Sequence, residues 1–179
     1  VTNTATLLEE TVKNDWRIIP DRAPRVGPLY AALTGAPDAS DTQEALTWIS
    51  GNYTRLLAAV EDNRHAEEGW QFAEALHGWF VTCGAQADRV RVYTLGLESA
   101  RESMTPEATP QMLTGLASGH IGTRDYAAAR PAAEEALSLW QEYGHQAGQA
   151  AALGKLGVIA TGTDRAEEAL EHLGAARHP

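Results

Sequence analysis

The sequence has only two lysines, Lys13 and Lys155, a single cysteine, Cys83, and no run of basic residues. Its 24 acidic residues outweigh 14 lysines and arginines, for a formal net charge of −10. Such a balance repels phosphate backbones, so direct nucleic-acid binding by this chain is not expected. One cysteine cannot form an internal disulfide, which suits a reducing, cytoplasmic compartment. No positive residue adjoins Cys83, so it reads as a small core filler rather than a nucleophile. No apolar run is long enough to cross a bilayer and no basic-then-apolar signal opens the chain, so no membrane contact is expected.

Catalytic patterns are equally scarce. Gly154-Lys155-Leu156 lacks the upstream glycine spacing and the following Ser or Thr of a phosphate loop, and reads as helix core. Gly115-Leu-Ala-Ser118-Gly is no nucleophile elbow, because its first glycine is one position too far away and no strand precedes it. Glu61 and His65 stand at i, i+4 without a second His or Cys to complete a metal site, and read as a solvated helix end. The expectation is a non-enzymatic chain with no catalytic residue, cofactor or metal.

What is present is helical periodicity. Pro110 to Leu139 carries two apolar patterns joined by a polar turn. Leu113, Leu116 and Ala117 share one face; Tyr126, Ala129, Ala133, Ala136 and Leu137 share another. Small residues at the seam let two antiparallel helices approach closely. One hairpin cannot bury its own stripe, so it needs neighbours. A shift of 40 residues aligns Leu76, Leu116 and Leu156, and likewise Ala73, Leu113 and Leu153. Gly96, Ala136 and Ala176 also align, while Leu97 and Leu137 meet Arg177, where the repeat fades. A period in this range is the signature of stacked helical hairpins.

At these residues the chain resembles the tetratricopeptide repeat. Leu116-Ala117 and Leu156-Gly157 match its leucine and small residue in the first helix. Asp125-Tyr126, Ala129 and Ala136-Leu137 match its turn, small residue and Ala-Leu pair. The preceding unit departs from the pattern at His77 and Gly96, and the 40-residue spacing exceeds the family's usual 34. The resemblance spans roughly 69–177 and implies an all-α, right-handed superhelical stack of antiparallel hairpins, an α-solenoid.

The expected layout is an N-terminal helical region over 1–66 and three hairpins in one continuous solenoid over 67–179. Leu7, Leu8, Val12 and Trp16 predict a first helix, capped by Asn3 or Thr4 and ended by Pro20 and Pro24. A long, mostly extended connection follows to Ser40, with a short turn of helix at Leu29–Leu33. Ser40 and Gln43 have capping-box spacing ahead of the stripe Leu46, Ile49, Tyr53, Leu56, Leu57 and Val60. Gly51 in that helix predicts a close neighbour. The hairpins are expected at Glu67–Cys83 with Asp88–Glu102, turning at Gly84, then Pro110–Leu139. Trp140–Gly148 is a link, and Gln149–Gly162 with Asp164–Ala176 completes the set. Trp70, Phe72, Leu76, Trp79 and Phe80 are expected to be core. The His-Pro ending, without a polar capping helix, points to a fragment of a longer array.

The segment ALTWISGNYTRLLAAV is similar to the one that opens the helical-repeat sensor of AfsR-like STAND regulators of actinobacteria. Ala45, Leu46, Trp48, Leu56 and Ala58-Ala59-Val60 match; Asn52 and Arg55 replace that family's glutamate and asparagine. The stretch Trp16-Arg-Ile-Ile-Pro20-Asp-Arg resembles its linker. This implies a sensor or interaction module that binds a protein or ligand signal and passes it to neighbouring regulatory domains. The other readings are a free-standing scaffold for a protein partner, and a small-molecule-binding helical domain or enzyme using the aromatic hairpin with His77 and His120. Those two histidines read first as packed between helices.

Register assigns the concave groove to Gln71, Glu74, Gly78 and Val81, then Gln111, Thr114, Ser118 and Ile121, then Ala151, Val158 and Thr161. These are small, weakly polar and nearly uncharged. The lysine and asparagine by which some tetratricopeptide proteins grip a peptide carboxylate are missing there, so a smooth groove for an apolar helix or a neighbouring domain is expected.

Overall fold

The computed structural model describes residues 3–34 and 41–176, and every regular element among them is helical. Helix α1 (Thr4–Ile18) starts where the Asn3 side chain accepts a hydrogen bond from the Ala5 N–H. It buries Leu7, Leu8, Val12 and Ile18, and on the same face Thr11, Asn14 and Asp15; Trp16 is only half-buried. An extended strap follows, ending in the single turn α2 (Pro28–Ala31), which opens on proline, a residue already set for a first helical position. Helix α3 (Thr42–Asp62) buries Ala45, Ile49, Leu56 and Val60. Ser40 lies outside the described residues, and among those described Asp41 makes no side-chain cap bond. Gly51 is exposed, and among the described residues a β-carbon there would meet nothing within 4 Å, so none of them is the expected close neighbour.

The helix expected over Glu67–Cys83 is broken into α4 (Glu67–Glu74) and α5 (His77–Cys83). The cause lies on α1. Asp15 Oδ1 accepts the Gly78 N–H at 2.6 Å, drawing that donor out of the helical ladder. Only glycine permits it, because a β-carbon would sit 2.9 Å from Asp15 Oδ1 and 3.2 Å from Ile18. Helix α5 ends at Cys83 beside Gly84, so the cysteine is exposed and fills no core.

Helices α6 (Gln86–Glu102), α7 (Ala108–Gly122), α8 (Tyr126–Glu142), α9 (Gln146–Gly162) and α10 (Ala166–Ala175) complete the stack. Each packs on the next, and α7 also meets α9 across its partner. The link expected from Trp140 is shorter than that: Trp140 is helical and fully buried, and His145 caps α9 by accepting the Gly148 N–H. The 40-residue period is visible in the backbone. Within the hairpins the left-handed turn residue recurs at Gly84 (φ 74°), Arg124 (φ 60°) and Asp164 (φ 57°). Small residues set the helix spacing, as expected. A β-carbon on Gly115 would fall 2.1 Å from the Tyr93 ring, and one on Gly96 2.7 Å from Ala73.

One core runs from Leu7 to Ile159. Trp70, Phe72, Leu76, Phe80, Tyr93, Met112 and Trp140 are its largest pieces, each contributing roughly 1.5–3 kcal/mol or more by leaving water. The aromatic hairpin is therefore core, with Trp79 at its edge stacked on Tyr53 at 4.2 Å.

Candidate functional site

Helices α4–α5, α7 and α9, the first of each hairpin, carry the residues expected in the groove. The strap lies across part of it. Arg22 reaches in, with its Nη1 2.7 Å from Glu74 Oε1 and its Nη2 2.9 Å from Asp15 Oδ2. Tyr30 donates its hydroxyl to Asp15 Oδ2 at 2.6 Å. From α7, Gln111 Nε2 bonds both Glu74 oxygens, at 2.8 and 3.0 Å, and the Pro24 carbonyl at 3.4 Å. Arg25 donates to the Ile19 and Pro20 carbonyls and lies over the Tyr30 ring.

These charges are buried and answer one another, while Arg22 Nε and Gln111 Oε1 have no hydrogen-bond partner among the described residues. Burial pushes the Glu74 carboxyl up from its usual range, with Arg22 and Gln111 pulling the other way. Burial opposes the Arg22 charge, but Glu74 and Asp15 outweigh it and hold that guanidinium well above its ordinary value. Burial and the Asp15 charge push Tyr30 well up. An ion cluster of this kind costs desolvation, which only close geometry and full hydrogen bonding offset.

The register positions therefore divide. Gln71, Glu74, Gly78 and Gln111 are buried at or beside the strap: Gln71 donates to the Glu67 carbonyl, and Gly78 touches Asp15. Thr114 is buried too, accepting the Trp140 Nε1–H while donating to the Pro110 carbonyl. Beyond the strap, Val81, Ser118, Ile121 and Val158 line an open cavity of about 280 Å³ with His77, Gln86, Arg89, Gly122 and Lys155. A recess of about 100 Å³ runs from it under Arg22, Ala23 and Pro24, reaching Gln111, Thr114, Ser118 and Ala151. Thr161 is exposed further along α9, outside both.

The groove is not the nearly uncharged surface expected from register. Arg89 from α6 and Lys155 from α9 face it. Burial pulls both below their usual values, Lys155 further through the charge of Arg89. His77 shares a 3.0 Å hydrogen bond between Nδ1 and the Tyr93 hydroxyl. Burial first, then the charges of Arg22, Arg89 and Lys155, holds it well below the usual histidine range, so it is neutral at pH 7. His120 lines neither cavity.

Lys155 carried a readable signal. It follows Ala151 by four and precedes Val158 by three, which places it on the same helix face. Asp15 carried one as well, as a carboxylate seven residues after Leu8 and three after Val12 in an apolar stripe. Arg22, inside an irregular stretch, had none.

Among the described residues no helix is long and apolar enough to cross a membrane. Neither a curated protein nor a solved structure matches the chain. Residues 108–177, the stretch that holds α7 to α10, match the family model of the tetratricopeptide repeat.

Proposed function

We propose that this chain is a non-enzymatic protein-interaction module whose binding surface is the part of the groove left open by the strap. The observation that carries this reading is the division of the concave face. One stretch is closed by Arg22 and Pro24, while Val81, Ile121 and Val158 remain beside an open cavity. Exposed Val81 and Val158, beside the partly buried Ile121, suit recognition of another polypeptide. Ser118 and Thr161 belong to the same surface by register.

The regulatory reading goes further. The Trp48 segment and the Trp16–Arg22 stretch support a sensor region of an AfsR-like STAND regulator, which receives a protein or ligand signal and passes it to nucleotide-binding and DNA-binding domains. In that reading the strap is a linker seated in the sensor's own groove, a position from which occupancy of the groove can reach the neighbouring domains.

Two measurements test these readings. A photo-crosslinking amino acid at Val158 is expected to capture a discrete polypeptide in the native host, whereas one at the exposed Glu98 of α6 is not. Equal capture from both positions would remove the groove reading. The native reading frame separates the regulator from the free-standing scaffold: a phosphate loop and a winged helix upstream support the regulator, and their absence excludes it.

A further inference from the structure

Arg89 and Lys155 are costly residues to place where they are. Arg89 is 6 % exposed, lies 5.9 Å from the Tyr93 ring centroid with a hydrogen bond to that side chain, and has an Nε without a hydrogen-bond partner among the described residues. Lys155 is half-buried in the same cavity. Among the described residues no carboxylate lies within ion-pair distance of either, although the chain carries 24 acidic residues. The nearby carboxylates of Asp15 and Glu74 already answer Arg22, which sits between them. Two partly desolvated cations that also repel each other oppose folding, because the neutral Tyr93 side chain beside Arg89 supplies no counter-charge to offset the desolvation. The contact with Tyr93 explains where Arg89 sits but leaves both charges unmatched, and a bound counter-charge would match them.

The cavity indicates the kind of counter-charge. It is small, at about 280 Å³, and its two fixed positive charges come from two separate helices, α6 and α9. His77 adds no charge at neutral pH, and Val81, Ile121 and Val158 close the rim with aliphatic surface. One carboxylate would leave a cation unmatched. Neutralising both charges with one group in this space requires a compact dianion, and arginine with lysine is a pairing suited to phosphate oxygens. We propose that the open groove contains a phosphate-binding site formed by Arg89 and Lys155, with His77 and Ser118 on its wall. The phosphate is either free or carried on a side chain of a protein partner. This deepens the groove reading and rests on it for the surface involved.

The test is an NMR titration of the full chain at fixed ionic strength, with chloride replaced stepwise by inorganic phosphate. Saturable shifts at Arg89, Lys155, Ser118 and Ile121 are expected. Lys155→Met should weaken them by about tenfold or more, the loss of one charge-assisted contact. It should leave the unliganded melting temperature equal or higher, which a structural lysine would not do. Arg89→Gln is the second variant and should weaken binding similarly. A phosphoserine tripeptide with flanking valines, binding more tightly than inorganic phosphate, would assign the protein-borne source; equal binding would assign the free anion. Saturation by succinate but not phosphate would overturn the proposal in favour of carboxylate recognition, and saturation by neither would overturn it outright. Failure here with capture intact at Val158 would leave the groove reading standing. Phosphate binding without capture would do the reverse.

Discussion

Gly51 faces solvent in the middle of α3, with space for a β-carbon and no positive φ to favour glycine. Glycine in a helix interior costs about 1 kcal/mol relative to alanine. Gly51→Ala should therefore raise the unfolding free energy by about 1 kcal/mol in urea titration. His77 provides the pH counterpart. Its folded pKa is depressed by burial and by the charges of Arg22, Arg89 and Lys155. Between that value and about 6.5, the unfolded chain binds a proton that the folded chain refuses. Stability associated with His77 is thus fully present above about pH 6.5 and declines as pH falls below it. Replacing His77 with Gln should flatten the slope of unfolding free energy against pH between about 5 and 6.5; an unchanged slope would mean that His77 titrates normally in the fold.

At the scale of elements, the strap is held by charge as well as by packing. Arg22 is the only cation bonded to both Asp15 and Glu74 among the described residues, and its side chain is 7 % exposed. Arg22→Met leaves two buried carboxylates without that partner and should cost about 3–5 kcal/mol. Adding Glu74→Gln to that variant should recover part of the loss, because a neutral amide can still bond Gln111. No recovery would mean that the guanidinium acts through packing alone. The hairpins were legible because their signal is local: leucines and small residues repeat at 40, and α7 to α10 follow that pattern. The strap was not, because nothing in Pro20–Ser40 has a period, and its seat is set by side chains far away in sequence. The same long-range partner, Asp15, splits α4 from α5, where local periodicity reads one continuous helix. Register puts Gln71, Glu74 and Gln111 on one face with the other groove positions, but it says nothing of what already covers them: the strap's Arg22 and Pro24 reach Glu74 and Gln111.

Taken whole, the molecule is braced unevenly. Helix α1 touches α2, α3, α4 and α5, and α3 reaches α4 and α6, so the first half is tied across several elements by the strap and its ion cluster. The second half is a linear stack in which α8 packs on α9 and α9 on α10. Helix α10 buries only Ala169 and leaves Leu170 74 % and Leu173 43 % exposed. In a stack each unit draws stability from its neighbours, so a helix that buries as little as α10 opens locally at a lower free energy than the middle. Hydrogen exchange should show protection falling from α7 through α9 to α10. Arg22→Met should then lower protection in α4 to α7, whose amides exchange through opening of the braced block, while leaving α10 unchanged. A uniform fall along the whole chain would instead mean a single cooperative unit. In that case occupancy of the groove between α5, α7 and α9 would stabilise α10 as strongly as it stabilises α4, and the strap could not respond to it separately.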